Sequence, residues 1–436
     1  MKVIKIGILG LGTVGSGTAN ILQNNAQGIS RRLQTSVDVV AASVRDLNVQ
    51  RQCETVGISI TNDPLDVVNN PEIDIIVETI GGETLAKDLI LKAIENGKHV
   101  VTANKALIAL HGAEVFAAAR NNNVVVLYEA AVAGGISIIK DLREGLAANK
   151  VELVAGIING TGNFILTEMR DKGRSFADVL LEAQELGYAE ADPTFDVEGI
   201  DAAHNLTILA SIAYGIPLNF EKVYTEGISE LNLTDVAYAD ELGYQIKHLG
   251  IAKQASEGIE LRVHPTLIPK KQLIANVDGV MNAVMVRGDS VGDTLHTGAG
   301  AGSLPTASAI VADIIDLSRA ISNGINYVMP SLGFHLDGIV AEKVMTADEF
   351  VCANYLRVDV LDVAGVMSKL SSVFAGLDVS IEAIIQKEPM KGSNHVSVIF
   401  ITQETLEAKI NQAIDEIQEI DAVSGKVVRI RLEHLD

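Results

Sequence analysis

Five short runs rich in valine and isoleucine punctuate the N-terminal part of the chain: VIKIGIL (3–9), VDVVAASV (37–44), IDIIVETI (73–80), HVVTA (99–103) and VVVLYEA (124–130). Such runs, without regular polar alternation, fit strands covered on both faces in a parallel sheet. Helix-like stretches lie between them. TLAKDLILKAIENGK (84–98) puts Leu85, Leu89, Ala93 and Ile94 at its apolar positions and stops at Gly97. Strand, helix, strand in repetition predicts a doubly wound parallel α/β sheet over residues 1–135.

The pattern then changes. A helix over 137–148 leads to the strand-like VELVAGIIN (151–159), to helices around 163–172, 175–186 and 200–214, and to a strand-rich segment at 260–290. That order predicts an α+β layer, a catalytic and dimerisation domain over 136–305. A helix starting TASAIVADIIDLSRAI follows, and the segment 306–330 is expected to pack back on the first domain. From 354 the order is strand, helix, strand, strand, helix, strand, the ferredoxin-like split motif, which sets a third domain at 349–436.

Composition narrows the class. The chain has 436 residues, 48% hydrophobic and 21% charged, which fits a well-packed globular enzyme of several domains. A net charge of −22 excludes the basic face that nucleic acid demands and argues against an anionic membrane surface. No apolar run reaches the roughly 18 residues of a membrane-spanning helix. Cys53 and Cys352 are the only cysteines, a usage suited to a reducing cytoplasm rather than to a disulfide framework.

Gly10-Leu-Gly12-Thr13-Val14-Gly15 fits G-x-G-x-x-G, follows the first strand and opens a helix, the context a dinucleotide-binding loop of Rossmann type requires. The first glycine permits the tight turn, the second lets the pyrophosphate approach the backbone, and the third allows close helix–strand packing. Arg45 and Asp46 stand side by side at the tip of the second strand. The arginine suits the 2′-phosphate of NADP and the aspartate the ribose of NAD, so NADP is favoured with NAD also accommodated. Thr79, beside Gly81 and Gly82, sits where ligands dock beyond strand C-termini.

Three stretches together, GLGTVG, VVTANKALIA (100–109) and GYAEADPTFDVEGIDAAH (187–204), resemble homoserine dehydrogenase in its long bacterial form with a C-terminal ACT domain. The likeness spans the whole chain. It implies reduction of L-aspartate 4-semialdehyde to L-homoserine with NADPH or NADH, on the route to threonine and methionine. It also implies roles for single residues. Lys105 would act at the cofactor and in proton transfer, while Glu190 would hold the substrate ammonium, with Asp196 and Thr161 beside it. Gly302 would lie near the nicotinamide. Glu129, with the carbonyls of Val132, Gly134 and Ile136, would bind a sodium ion, an oxygen-only donor set that suits a hard cation.

One position departs from the family. Asp201 and residue 205 are one helical turn apart and share a face. The family pairs an aspartate there with a lysine that serves proton transfer, but this chain has Asn205. An amide carries no charge and supplies no proton near neutral pH. Asn205 is then a substitution made to trap a complex, or the residue of an enzyme in which Lys105 alone moves the proton, or the mark of a crippled one. With every other motif intact, the first fits best, and weakened activity is expected. The alternative is a catalytically silent sensor of NADP and amino acids.

An ACT domain implies pairing, hence a homodimer or homotetramer, and a threonine effector. Its usual D-x-P-G turn is here Asp362-Val-Ala-Gly365, without the proline. Aspartate-semialdehyde dehydrogenase, which needs a cysteine nucleophile, is disfavoured because neither cysteine is suitably placed.

Overall fold

The computed structural model describes residues 3–324, 329–387 and 394–435. Its contacts separate two compact units, one of Met1–Gly160, Asp201–Val223 and Val280–Glu342, the other of Thr161–Ile200, Tyr224–Gly279 and Lys343–Asp436.

The first unit is built on a six-stranded sheet: β1 (Ile4–Leu9), β2 (Val37–Ser43), β3 (Ser59–Thr61), β4 (Ile75–Glu78), β5 (His99–Thr102) and β6 (Val126–Leu127). The order is β3-β2-β1-β4-β5-β6 and every pairing is parallel. The chain leaves β1 toward β2 and β3, then returns to its other side for β4, so a crevice opens beyond the C-terminal end of β1. The strand β3 was not anticipated, because three residues carry no valine or isoleucine run. The helix Thr84–Glu95 buries Ala86, Leu89, Ile90, Ala93 and Ile94. Leu85, expected on that face, is 57% exposed, because the apolar stripe begins one residue later.

The helix Ser303–Ser322 contributes Ile310, Ile314 and Leu317 to the same hydrophobic cluster as Ile4, Ile6, Ile8 and Val77. It ends at Ser322, short of the anticipated 330, with Gly324 at φ +61, and residues 325–328 lie outside the described ones. The helix foreseen over 137–148 is a short α-turn, Ile138–Lys140, that widens into a π-turn at Asp141–Gly145. Three antiparallel strands complete the unit. Met281–Gly288 lies between Val151–Ile157 and Gly292–Ala299. Backbone and side chain approach closely at Gly300, where a Cβ would fall 2.2 Å from the Asn282 amide.

In the second unit, Tyr244–Ala255 and Gly258–Pro269 pair antiparallel along their whole length. The former escaped the sequence reading because YQIKHLGIAKQA mixes lysine, histidine and glycine into its run. Val351–Leu361 lies between His395–Thr402 and Val423–Leu432, with Ile381–Gln386 outermost. With the helices Val366–Gly376 and Glu407–Gln418 packed over Leu356, Val358, Val398 and Phe400, this is the predicted ferredoxin-like βαββαβ unit. Two arginines are fully buried here. Arg262 is held by Glu260 and Glu433, Arg431 by Glu226 and Glu407. Removing one partner from such a pair leaves an uncompensated charge, which is why buried arginines come with carboxylates.

Candidate functional site

The glycine loop follows β1 directly. Gly10 has φ +96, the left-handed region open to glycine, and a Cβ on Gly15 would lie 1.9 Å from the Gly10 carbonyl oxygen. A Cβ on Gly12 would meet nothing within 4 Å, so the loop is open on that side. Gly12 caps the helix Thr13–Asn24 with no side-chain hydrogen bond, leaving the positive end of the helix to an anion. These features fit a dinucleotide pyrophosphate. Val14 packs on the core behind the loop and Thr13 is exposed.

Thr79 directly follows the last residue of β4. Its hydroxyl lies 2.8 Å from the Gly10 carbonyl and 3.1 Å from that of Leu9, tying β4 to the loop. Ser303 donates to the Thr13 carbonyl at 2.7 Å, and Gly302 before it has φ +123, so a second helix starts against the same loop. At the tip of β2, Arg45 and Asp46 are exposed. The Asp46 carboxylate accepts from the Asn48 backbone at 2.9 Å, and the Arg51 guanidinium donates to the Asp46 carbonyl.

Lys105 is the first residue of the helix Lys105–Asn121, whose start is capped by the Asn104 side chain accepting from the Leu107 N–H at 3.1 Å. Its Nζ lies 2.5 Å from Asp201 Oδ1. The other Asp201 oxygen accepts from Asn159 Nδ2 at 3.0 Å. Asp201 and Asn205 share the face expected of them on the helix Ile200–Tyr214, which coincides with the predicted range. Asn205 is 1% exposed and donates to the Ile158 carbonyl at 2.8 Å, while its Oδ1 has no hydrogen-bond partner among the described residues. Neighbouring His204 packs on Phe220 at 4.4 Å, and burial lowers its pKa, which keeps it neutral. The structure thus brings Lys105, Asp201 and the unforeseen Asn159 into one cluster, with Asn205 one turn along.

The remaining carboxylates of GYAEADPTFDVEG belong to the second unit and have separate tasks. Asp192 accepts from the backbone and hydroxyl of Thr194, the turn chemistry open to an Asp-Pro step. Glu198 accepts from the Ser229 hydroxyl at 2.7 Å. Asp196 sits half-buried in the short helix Thr194–Val197, and Glu190 is exposed. Gln184 donates to the Glu190 carbonyl at 3.0 Å, and Thr161 gives its proton to the Tyr188 carbonyl at 2.7 Å. Thr161 thereby helps shape the segment that carries Glu190.

Glu129 is buried at the start of the turn that contains Val132, Gly134 and Ile136. Its oxygens accept from the N–H groups of Ile139 and Lys140, each at 2.9 Å. Burial pushes its carboxyl up to about 7, against the pull of Arg143. Each oxygen keeps a second lone pair, so the donor set still fits a hard monovalent cation. Among the described residues no cluster of three histidine, cysteine or acidic side chains could hold a metal, and no helix is long and apolar enough to cross a membrane.

The comparisons with known proteins agree with one another. Residues 10–129 match the family described as homoserine dehydrogenase, NAD binding domain, and residues 137–315 match homoserine dehydrogenase. The chain is 57% identical over 436 residues to the homoserine dehydrogenase of Pseudomonas aeruginosa, covering 100% of both chains. It is 50% identical to that of Neisseria gonorrhoeae, again with 100% of each covered. Among solved structures, a homoserine dehydrogenase from Thiobacillus denitrificans matches with a TM-score of 0.94 at 55% identity, over 100% of this chain and 99% of that one. A hyperthermophilic archaeal homoserine dehydrogenase in complex with NADPH matches at TM-score 0.60 and 25% identity, over 72% of this chain and 97% of the other.

Proposed function

This chain belongs to the homoserine dehydrogenase family, and we propose from that premise that Lys105, held by Asp201, moves the proton in its reaction. The protein is an NAD(P)-dependent oxidoreductase that reduces L-aspartate 4-semialdehyde to L-homoserine. A bound nicotinamide supplies the hydride to the aldehyde carbon. The carbonyl oxygen gains charge as the hydride arrives and must be protonated. Lys105 is the cation of the Asp201 cluster, whereas Asn205 adds neither charge nor proton. Asp201 anchors the ammonium at 2.5 Å, and that ion pair is the observation on which the assignment rests.

The other roles follow from the same reading. The N–H groups behind Gly12, with Gly10 and Gly15, bind the pyrophosphate, and Gly302 takes the nicotinamide end. Arg45 binds a 2′-phosphate, which makes NADPH the preferred donor and NADH the poorer one. The NADPH complex of the archaeal relative supports NADPH as a donor. Glu190, with Asp196 nearby in sequence, binds the substrate ammonium. A sodium ion would be held by Glu129 and the carbonyls of Val132, Gly134 and Ile136, where it would offset buried negative charge. The ferredoxin-like module over 349–436 acts as an ACT domain that pairs two copies into a homodimer or homotetramer and takes threonine as effector. The enzyme works in the cytoplasm.

The test is NADPH oxidation with aspartate semialdehyde, run on the protein, on Lys105→Ala and on Asn205→Lys. Lys105→Ala is expected to lose roughly 10²–10⁴-fold in kcat, the range for removing a general acid. Asn205→Lys is expected to raise kcat, because it adds a second cation at the oxyanion. A Lys105→Ala protein as fast as its parent sinks the assignment. Ligand binding without turnover in the parent and in Asn205→Lys alike moves the reading to a sensor of NADP and amino acids.

A further inference from the structure

Glu78, the last residue of β4, is completely buried, and no motif points to it. Its carboxylate collects three donors. One oxygen accepts from the N–H groups of Ile80 at 2.8 Å and Gly81 at 2.9 Å. The other accepts from the Thr102 hydroxyl, at the end of β5, at 2.6 Å. That hydroxyl accepts in turn from the Asn104 N–H at 3.0 Å. The Asn104 side chain closes the ring, its Nδ2 donating to the Gly82 carbonyl at 2.6 Å and its Oδ1 capping the Lys105 helix. Thr79, at the front of the same turn, is tied to Gly10.

A carboxylate at no exposure is costly unless its acceptors are filled. Burial raises the Glu78 pKa, and the hydrogen bonds from Thr102, Gly81 and Ile80 oppose that rise. We propose that Glu78 is the positioning residue of the cofactor crevice, holding the Thr79–Gly82 turn and the start of the Lys105 helix in one fixed relation. It touches neither substrate nor cofactor in this role. It acts through the turn, which meets the glycine loop at Thr79 and Gly10, and through Asn104, which sets where Lys105 begins. The second arm rests on the assignment of Lys105 to proton transfer, whereas the first does not.

Glutamine separates geometry from charge. Its Oε1 can accept from Ile80 and Gly81, and its Nε2 can donate to the Thr102 oxygen, so Glu78→Gln keeps all three contacts, with the Thr102 bond reversed and the Thr102 proton released from its acceptor. Alanine orphans three donors. The experiment measures kcat, the KM for aspartate semialdehyde and NADPH affinity by fluorescence without substrate, for Glu78→Gln, Glu78→Ala and Thr102→Val. Glu78→Gln is expected within threefold of the parent on all three. Glu78→Ala is expected to lose roughly 100-fold in kcat, the scale for displacing reacting groups by about 1 Å. It is also expected to bind NADPH at least tenfold more weakly, with the semialdehyde KM within threefold. Thr102→Val, which removes one of the three donors, is expected to fall between them and carries the test if Glu78→Ala does not fold. Weakened NADPH binding with unchanged kcat would leave the turn arm standing and overturn the Lys105 arm. Parent-like kcat and affinity in Thr102→Val, or a Glu78→Gln protein as impaired as Glu78→Ala, overturns the proposal.

Discussion

Asp201 divides its carboxylate between Lys105 on one oxygen and Asn159 on the other. Two fixed contacts leave the side chain little freedom, so the position of the Lys105 ammonium depends on Asn159 as well. Asn159→Ala is expected to lower kcat by roughly 10- to 100-fold while the protein stays folded, since one donor to a 15% exposed carboxylate is lost. Steady-state NADPH oxidation reads this out, and an unchanged kcat would show that Lys105 alone holds Asp201. Gly15→Ala is a harsher change. The added methyl falls 1.9 Å from backbone rather than from a flexible side-chain tip, so loop or helix must move. Loss of NADPH binding in a fluorescence titration is expected, with the melting temperature lowered as well. The glycine pattern had pointed to Gly15, and the family resemblance to Lys105 and Asp201. Neither held any trace of Asn159, whose partner lies forty-two positions away.

Along the helix Thr84–Glu95, the apolar stripe decides which leucine matters. Leu89 is 2% exposed and Leu85 is 57% exposed, although both had been read onto one face. Leu89→Ala is expected to cost about 2–5 kcal/mol through lost burial and a residual cavity, whereas Leu85→Ala should stay within about 0.5 kcal/mol. Urea unfolding of the two variants decides this, and equal costs would contradict the observed face. Elements with long apolar runs, such as Ile200–Tyr214, buried without a break from Ala202 to Ile212, were legible from the run itself. Tyr244–Ala255 and Gly292–Ala299 were not. Their strand character comes from pairing with neighbours, which supplies hydrogen bonds whatever the local side chains are.

For the molecule as a whole, acid stability depends on histidines buried in the neutral form. His264 is fully buried and its pKa is driven well below the ordinary value, first by desolvation and then by the Arg431 and Arg262 charges. His248, also buried, is lowered by desolvation. A depressed histidine contributes stability above its unfolded value of 6.5, and that stability is lost as the pH falls toward the folded one. Melting temperature should therefore drop as the buffer goes from pH 7 to pH 5. Each such group contributes a slope approaching about 1.4 kcal/mol per pH unit. His264→Gln should flatten that limb, and an identical pH profile for parent and variant would assign the acid lability to other groups.

What the sequence determined by itself were features written in short stretches of chain: the parallel sheet, the glycine loop, the Asp201 helix and the C-terminal βαββαβ order. Each is set by nearest-neighbour sterics and by local runs of apolar residues, which a linear pattern records. Tertiary structure alone decided the partners. It set Asp201 against Lys105, turned the Asn205 amide to the Ile158 carbonyl, directed the Thr79 and Thr161 hydroxyls to backbone carbonyls, and buried Glu78 beneath its turn. A hydrogen bond needs its two atoms about 3 Å apart in a fixed direction, and only the folded chain brings such distant positions together.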